Sequence, residues 1–359
     1  MKVKDRFYRT LWPEYDRGAV AIIDQTLLPH QLVVRELETV AAAADAIVTM
    51  RVRGAPLIGV TAAYGVALAM AQDDSDQALE AAVALLSRTR PTAVNLAWAL
   101  ARMQKVLAKL PPNERCEAAW REAAAMADED VATNQAIGRH GLGLLREKQR
   151  ATGRPLRILT HCNAGWLATI DWGTALAPIF LAHDAGIPLH VWVDETRPRN
   201  QGLLTAWELA GHGVPHTVIA DNAGGLLMQR GEVDLVLVGA DRVSRAGDVC
   251  NKIGTYLKAL AARANEVPFY AALPSTTIDW RITDALKEIP IEERSGEEMK
   301  SLHARLDDGR IARVQILAPE TTVANPAFDL TPAALVTGII TERGISAPQE
   351  LASLYPEWV

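Results

Sequence analysis

Cysteine is scarce in this chain, with three residues among 359. Cys116, Cys162 and Cys250 are far apart and show no paired spacing. A disulfide framework or a cysteine zinc cluster needs more cysteines at closer spacing, so the sequence excludes both. Each cysteine is therefore either core filling or a reactive thiol.

The chain also lacks an excess of positive charge and long apolar runs. Its 37 Lys and Arg residues are outnumbered by 43 Asp and Glu residues, which gives a formal net charge of -6. Nucleic-acid binders usually carry a clear excess of Lys and Arg, and a membrane span needs about 18 successive apolar residues. The opening stretch, "MKVKDRFYRTLWPEYDRGAV", interrupts its apolar residues with charges, unlike a secretion signal. We expect a soluble cytoplasmic protein that binds neither nucleic acid nor a membrane.

Complete nucleotide-binding motifs are absent. Gly54, Gly59 and Thr61 match positions of a Walker A loop, but Val60 stands where that loop requires lysine. The segment "GLGLL" at Gly141 contains G-x-G, but it lies inside a helical pattern and lacks the third glycine of a dinucleotide site. The sequence therefore predicts no nucleotide cofactor.

Metal and serine-hydrolase motifs are absent as well. His212 and His216 are four residues apart, but Gly213 and Pro215 lie between them, so the two rings should not share a helix face as zinc ligands would. No G-x-S-x-G elbow occurs. We predict that the protein needs no metal ion.

Two compositional halves are present. Residues 1–150 are rich in alanine, and three stretches place apolar residues at helical spacing: "ELETVAAAADAIVTM", "DQALEAAVALLSRTR" and "ERCEAAWREAAAMADEDVATNQAIGRHGLGLLREKQ". The segment "ATGRP" at 151–155 marks the boundary. Residues 151–359 then alternate short apolar runs, beginning near 156, 188, 215, 233 and 268, with helical stretches. This pattern predicts an α/β protein, with a mainly helical N-terminal domain followed by a Rossmann-like, doubly wound parallel-sheet domain.

Polar residues follow each predicted strand, at the edge where doubly wound sheets bind ligands. Cys162 follows the first run and Asp241 follows the fourth, while Asp221 and Ser275 follow two others. Helix capping is an equally good explanation for Asp221 and Ser275. It is a poorer explanation for Cys162, because cysteine caps badly, and for Asp241, which follows a long apolar run.

Several motifs together resemble the methylthioribose-1-phosphate isomerases. These are "RVRGAPLIG", "RPTAVNLAWAL", "THCNAGWLAT", "ETRPRNQG", "GADRV", "GDVCNKIGTY", "IPIEERS" and "NPAFDLTPAALVTGIITERG", and the resemblance extends from about residue 15 to 345. That group is part of a wider family with the alpha, beta and delta regulatory subunits of translation initiation factor 2B and the ribose-1,5-bisphosphate isomerases. The resemblance implies a homodimer that interconverts an aldose 1-phosphate and a ketose 1-phosphate in methionine salvage, without a cofactor.

The resemblance also assigns roles to individual residues. Cys162 and Asp241 match the catalytic positions of the family, and the substrate-binding positions are matched by Arg53, Gly54, Ala55, Arg90, Gln201, Asn251 and Lys252. Arginine forks suit a phosphate, which explains a phosphate loop without lysine. Asp241 would be the acid that opens the sugar ring, and its apolar surroundings should raise its pKa. Cys162 would be the base, its thiolate favoured by the amide dipoles of a following helix. A hydride shift remains an alternative to proton transfer.

Some residues depart from the family pattern, and they leave the substituent at C5 of the sugar open. These are Trp166, Asp171, Trp172, Asn200 and Cys250. The two tryptophans favour an apolar C5 group if they line the site, although either is equally at home in a core. Methylthioribose 1-phosphate is the expected substrate, with 5-deoxyribose 1-phosphate as a second one. The alternatives are a ribose-1,5-bisphosphate isomerase and a regulatory subunit without activity.

Overall fold

The computed structural model describes residues 1–3, 6–91 and 93–358, and the chain begins with small antiparallel sheets. A two-stranded ribbon is followed by a three-stranded sheet in the order β3-β4-β5. The strands are β1 (Lys2–Val3), β2 (Arg6–Phe7), β3 (Leu11–Glu14), β4 (Ala19–Ile23) and β5 (Val34–Leu37). The run "AVAII" of β4 is fully buried and rich in β-branched residues, which suits a strand. The helical character predicted for the first half therefore starts only after residue 37.

Five helices follow these strands. They are α1 (Val40–Val48), α2 (Ala55–Gln72), α3 (Asp76–Ser87), α4 (Val94–Leu107) and α5 (Pro112–Thr152). Helices α1, α3 and α5 are the ones that the apolar spacing predicts. Thr39 and Ser75 cap α1 and α3, each accepting a hydrogen bond from a backbone N–H of the first turn.

Helix α2 is the centre of this part, and α1, α3, α4 and α5 all pack on it. All residues from Ala55 to Met70 except Pro56 are buried, so α2 is apolar on every side. Without a polar face it has no amphipathic pattern, and the sequence analysis did not identify it as a helix. Among the described residues it is the one helix long and apolar enough to cross a membrane, and most of it is buried inside the protein. A core helix of a globular protein has the same composition.

The second part contains the predicted doubly wound sheet. Its seven strands run in the order β18-β17-β12-β9-β6-β7-β8, and all pairs are parallel except β17 with β18. They are β6 (Leu156–Thr160), β7 (Leu189–Asp194), β8 (His216–Ile219), β9 (Leu235–Val238), β12 (Phe269–Ala272), β17 (Gly338–Thr341) and β18 (Gly344–Ser346). The five runs predicted as strands are β6, β7, β8, β9 and β12. The predicted fold class is thus confirmed.

Helices cover both faces of this sheet. They are α6 (Leu176–Asp184), α7 (Gln201–His212), α8 (Ala223–Gln229) and α9 (Thr255–Ala264). Neighbouring strand residues such as Ile158 and Leu159 belong to different cores, because successive side chains point to opposite faces. One core includes residues of α5, α6 and α7, and the other includes residues of α8 and α9.

The strand order creates a crevice at the ends of β6 and β9. From β6 the chain runs through β7 to β8 at one edge, then returns to β9 on the other side of β6. Helices that connect strands in opposite directions leave an opening at the carboxyl ends of the two strands where the order reverses. Cys162 follows β6 and Asp241 follows β9, so the fold places both at this opening.

A small sheet and an excursion of the chain border the crevice. The sheet has the order β13-β10-β11-β16, and its strands are β10 (Arg242–Ser244), β11 (Val249–Lys252), β13 (Ile278–Asp279) and β16 (Phe328–Thr331). Residues 285–327, which we call the strap, leave this sheet and return to it. The strap carries α10 (Ala285–Glu288), α11 (Glu297–Lys300) and a hairpin of β14 (Ser301–Arg305) and β15 (Ile311–Gln315).

Helix α5 joins the two parts physically. Ala123 in its first half belongs to the core around α2, whereas Leu145 in its second half belongs to the core of the main sheet. A Cβ atom added at Gly141 would lie 2.4 Å from Cγ of Pro178, so glycine allows α6 to approach α5 this closely. The helix ends at Thr152, followed by Gly153 with φ +66°, within the boundary segment that the sequence indicates.

Candidate active site

One cleft between the helical part and the crevice of the main sheet contains every site residue predicted from the sequence. Its lining includes Arg53, Gly54, Ala55, Arg90, Cys162, Gln201, Asp241, Asn251 and Lys252. These residues come from segments far apart in the sequence, and the fold brings them together. Their individual roles stay predictions, which the local geometry constrains as follows.

Cys162 is held by its backbone on both sides. It has φ +66°, an uncommon conformation for a residue with a side chain. Its N–H donates to Oγ1 of Thr196 at 2.9 Å, and its carbonyl oxygen accepts from Oγ1 of Thr205 at 2.8 Å. The two threonines thus fix the peptide groups that carry the half-buried thiol.

The prediction that a helix follows Cys162 directly and places its dipole at the thiol is wrong. The residues after it form a single 3-10 turn, Trp166–Ala168, and α6 begins only at Leu176. Burial raises the pKa of the Cys162 thiol, and the nearby Arg53 and Lys252 only partly oppose that effect. Burial therefore disfavours the thiolate in the ligand-free protein, and α6 begins too far along the chain to supply the expected dipole.

Asp241 lies between β9 and β10. Its N–H donates to the carbonyl oxygen of Cys250 at 2.9 Å, which ties it to the strand that carries Asn251 and Lys252. Desolvation raises the pKa of the Asp241 carboxyl to about 6, and the strongest opposing effect comes from Arg90. Because a strand follows Asp241 rather than a helix, capping does not explain this residue.

Capping fails for the other two strand-end residues as well. The Asp221 carboxylate accepts hydrogen bonds from the N–H groups of Thr196 at 2.7 Å and Arg197 at 2.8 Å, in the loop after β7, and α8 has no side-chain cap. Ser275 begins a 3-10 turn whose preceding residue is Pro274, also without a side-chain cap. Asp221 therefore stabilises, through these two hydrogen bonds, the loop that leads to Gln201.

Arg53 is a buried cation at the start of α2. It is 6% exposed, its Nη1 donates to the carbonyl oxygen of Asn163 at 3.2 Å, and its Nη2 donates to Oδ1 of the same residue. Its Nε atom is buried and has no partner among the described residues. Gly54, with φ +91°, admits no side chain, because an added Cβ would lie 2.5 Å from Cα of Ala168. The N–H groups of Ala55 and Leu57 in the first helical turn lack acceptors within their helix, as in many anion sites, whereas Pro56 has no N–H group.

The remaining predicted ligands surround the same space. Nη2 of Arg90 lies 2.9 Å from Oε2 of Glu292, and Nε of Arg90 is buried without a partner in the described part of the chain. Gln201 begins α7, and its Oε1 has no described partner. Asn251 donates from Nδ2 to Thr255 at 3.0 Å. Lys252 is 3% exposed, and burial lowers the pKa of its ammonium group.

Sequence reasoning missed the charged residues of the strap. Nη1 of Arg294 lies 2.8 Å from Oε1 of Glu292, and Nη2 of Arg294 lies 2.8 Å from Oε1 of Glu298. Glu298 also pairs with Arg199 at 2.9 Å, and both arginines line the cleft. The run "IEERSGEE" offered a signal, because it overlaps the family motif "IPIEERS" and places four glutamates around one arginine.

A second missed group lies behind Arg53. Glu208 of α7 is 2% exposed and accepts a hydrogen bond from Nδ2 of Asn163 at 2.8 Å. Burial raises the pKa of Glu208 to about 7. The only sequence signal was a single glutamate in the apolar stretch "GLLTAWELAG", seven positions after Gln201.

The two tryptophans do not line the cleft. Trp166 is 1% exposed, and its ring centroid lies 5.9 Å from that of Trp207 in the core. Asp171, beside Trp172, binds the N-terminal ammonium group at 2.7 Å. Cys250 does line the cleft and is 3% exposed. The inference from Trp166 and Trp172 to an apolar C5 group therefore has no support in the geometry.

His161, Asp194 and Asp221 form a cluster whose ligand atoms are close enough for a metal ion. However, Nδ1 of His161 lies 2.9 Å from Oδ2 of Asp194, and its Nε2 lies 2.8 Å from the carbonyl oxygen of Ile253. The ammonium group of Lys258 lies 3.1 Å from the same Asp194 oxygen and donates to the carbonyl oxygen of Asp221. A lysine thus supplies the positive charge, and the cluster is a buried hydrogen-bonded network behind Cys162.

Comparison with known proteins places this cleft in a family. The model of the initiation factor 2 subunit family matches residues 51–348. The chain is 63% identical to the methylthioribose-1-phosphate isomerase of Acidiphilium cryptum, over 99% of this chain and 98% of the relative. It is 60% identical to the methylthioribose-1-phosphate isomerase of Rhodospirillum rubrum, over 99% and 94% of the two chains.

Two solved structures of the same family are similar to this chain over nearly its whole length. The 5-methylthioribose 1-phosphate isomerase of Pyrococcus horikoshii is 40% identical, with a TM-score of 0.84 over 98% of this chain and 97% of that one. The translation initiation factor eIF-2B subunit delta of A. fulgidus is also 40% identical, with a TM-score of 0.78 over 97% and 99%. Sequence and fold therefore agree over nearly the whole chain: it belongs to the initiation factor 2 subunit family and, within it, to the methylthioribose-1-phosphate isomerases.

Proposed function

We propose that the protein converts 5-methylthioribose 1-phosphate to 5-methylthioribulose 1-phosphate in methionine salvage, as an aldose-ketose isomerase without a cofactor. The observation that carries the site assignment is the placement of Cys162 and Asp241 at the ends of β6 and β9, in one cleft with Arg53, Arg90 and Lys252. The curated relatives at 60–63% identity carry the name of this activity, which favours it over a regulatory subunit.

The cations of the cleft bind the phosphate in this proposal. Arg53 and Arg90 each have a buried Nε atom without a described partner, and Lys252 adds a third charge. Charge-assisted hydrogen bonds from arginine to phosphate are stronger than neutral ones. The amides at the start of α2 add further donors. This set suits one phosphate on C1.

Asp241 opens the ring. With a pKa of about 6, part of its carboxyl is protonated near neutral pH, and it donates that proton to the ring oxygen as the bond from this oxygen to C1 breaks. The resulting carboxylate later accepts the proton of the 2-hydroxyl group as the C2 carbonyl forms. Asp241 therefore gives one proton and takes one back.

Hydrogen then moves from C2 to C1 by one of two routes. In the proton route, the Cys162 thiolate removes the proton from C2 and returns it to C1 after an enol phosphate has formed. In the hydride route, the hydrogen moves directly to C1 and the thiol is not a base. Burial raises the pKa of the Cys162 thiol in the ligand-free protein, so the proton route needs substrate binding to favour the thiolate. Turnover in deuterium oxide separates the routes: the proton route allows deuterium at C1 of the product, whereas the hydride route excludes it.

The test of substrate identity is a comparison of kcat/KM for three compounds. Purified protein is supplied separately with 5-methylthioribose 1-phosphate, 5-deoxyribose 1-phosphate and ribose 1,5-bisphosphate. We expect the methylthio compound to have the highest kcat/KM, with turnover of the deoxy compound as well. A preference for the bisphosphate, or no turnover of any of the three, contradicts the proposal.

We further propose that the protein is a cytoplasmic homodimer. Support comes from apolar side chains exposed on α8 and α9, namely Leu226 (47%), Leu257 (58%) and Leu260 (39%). An apolar face of this kind is typical of an interface. Light scattering should give twice the mass of one chain, and Leu257→Glu should shift the mass toward one chain. A wild-type protein with the mass of a single chain contradicts the dimer.

A further inference from the structure

Helix α7 has polar residues on the face that it buries. Gln201, Thr205 and Glu208 are spaced four and three residues apart, so they lie on one side of the helix. They are 6%, 0% and 2% exposed. Burying a polar side chain costs folding free energy unless the group is hydrogen-bonded. The hydrogen-bond partners of these three residues therefore indicate what they do.

Glu208 holds the loop that follows Cys162. Its Oε2 accepts from the N–H of Trp166 at 2.8 Å, and its Oε1 accepts from the N–H of Leu167 at 3.2 Å. Oε1 also accepts from Nδ2 of Asn163 at 2.8 Å. The fit is close, because a Cβ atom added at Gly165 would lie 1.9 Å from Oε2. One carboxylate thus fixes three donors of the same loop.

The carboxylate also determines which way the Asn163 amide faces. Both oxygens of Glu208 accept from backbone N–H groups, so the carboxyl group presents acceptors to Asn163 and the NH₂ group of that amide faces it. Thr205 donates its own proton to the carbonyl oxygen of Cys162 and therefore accepts from the same NH₂ group, at 3.1 Å. The amide oxygen of Asn163 consequently faces Arg53, and it accepts from Nη2 of that residue.

We propose that Glu208 is a positioning residue, which acts through Asn163 to hold the guanidinium group of Arg53 for the substrate phosphate. This inference rests on the proposed function of the cleft and adds a residue outside its lining. Asn163 occupies Nη1 and Nη2 of Arg53 and leaves the buried Nε atom for a ligand. Without the carboxylate, the amide of Asn163 is free to turn and to present NH₂ to the cation.

The first test is Glu208→Gln, which keeps the size of the side chain and removes its charge. We expect KM for the sugar phosphate to rise by roughly tenfold or more, the effect of losing a hydrogen bond to a charged group, while kcat changes much less. The matched control is Glu147→Gln on the exposed side of α5, which should leave both constants unchanged. A wild-type KM in folded Glu208→Gln overturns the proposal.

The second test asks whether Glu208 acts through Arg53. A positioning role predicts that Arg53→Ala with Glu208→Gln has the same KM as Arg53→Ala alone, because the group being positioned is already gone. A purely structural role predicts that the two effects multiply, and that outcome rejects the inference. If Glu208→Gln does not fold, Asn163→Ala replaces it in the same cycle.

A binding measurement separates this inference from the proposed function. Calorimetric titration with inorganic phosphate requires no turnover, and Glu208→Gln should bind phosphate more weakly than the Glu147→Gln control. Wild-type protein that binds phosphate but isomerises no sugar contradicts the proposed function and leaves this test intact. Equal phosphate affinity in the two variants contradicts the positioning role, whatever the activity.

Discussion

Nη2 of Arg90 lies 2.9 Å from Oε2 of Glu292, and this ion pair connects the helical part of the protein to the strap. Both side chains are largely buried, with exposures of 13% and 20%. Arg90 is therefore already neutralised on one side before substrate arrives, whereas Arg53 is held only by the neutral Asn163. The two arginines should contribute unequally to phosphate binding.

Arg53→Ala and Arg90→Ala should both weaken substrate binding. Each removes charge-assisted hydrogen bonds worth about 1.5 to 3 kcal/mol, so KM should rise by roughly 10- to 150-fold. The larger rise is expected for Arg53→Ala, since no acidic group in the described part of the chain lies at hydrogen-bonding distance from Arg53. Steady-state kinetics measure this, with Arg121→Ala, an exposed position on α5, as the control. A wild-type KM in both variants would remove the phosphate assignment.

Asp241→Asn should abolish most of the chemistry and keep binding. Asparagine has the same shape but no proton to give to the ring oxygen, so kcat should fall at least about 100-fold, as is usual for loss of a general acid or base. Binding of the sugar phosphate, measured by calorimetry, should persist. Asp307→Asn in the exposed turn of the strap serves as the control. Near-normal kcat in Asp241→Asn would require a different acid.

The same substitution should stabilise the protein at alkaline pH. The pKa of Asp241 rises from 3.8 to about 6 on folding, so the folded state binds more protons than the unfolded state between these values. Stability is thus lost as pH rises through this window, by at most about 3 kcal/mol for a shift of about two units. Asp241→Asn should raise the free energy of unfolding at pH 8 and not at pH 3. Urea titrations at the two pH values measure the difference. Equal effects at both pH values would mean that ionisation of Asp241 costs the fold nothing.

Alkylation should identify Cys162 as the thiol of the site. Iodoacetamide should inactivate the enzyme slowly at neutral pH and faster at higher pH, because the raised pKa leaves little thiolate. Substrate should protect the enzyme. Cys162→Ser should lose nearly all activity, while Cys116→Ser and Cys250→Ser retain it, the latter although Cys250 borders the cleft. If Cys250→Ser were the inactive variant, the assignment of the cysteine would be wrong.

The sequence predicts the centre of the main sheet well because β6, β9 and β12 are buried on both faces. The runs that became β6, β7, β8, β9 and β12 are short, apolar and separated by helical patterns. Helix α2 escaped the same reasoning, since a helix buried on all sides has no polar face to reveal its period. Strands β1 to β5 were not predicted either. The composition was judged over 150 residues, and the contribution of such short strands is lost in that average.

At the site, residue types were easier to predict than electrostatics. The raised pKa of Asp241 follows from its apolar flank, and the structure agrees. The activated thiolate of Cys162 does not follow, because a loop of irregular backbone separates it from α6. Glu208 reaches Asn163 and Glu292 reaches Arg90 across 45 and 202 residues of sequence, and no local pattern records which side chain each of them meets.

We expect helix α5 to give the molecule one unfolding transition rather than two. The first half of α5 belongs to the core around α2, and its second half belongs to a core of the main sheet. Unfolding of either core should therefore disrupt the helix on which the other core depends. Calorimetry should therefore show a single endotherm whose van't Hoff and calorimetric enthalpies agree. A fragment that starts at residue 153 would expose the surface of Ala177 and Pro178 that now packs on Gly138 and Gly141. The cleft thus lies between two regions that unfold together. Its arginines and its strand-end residues therefore keep their relative positions for as long as the protein is folded.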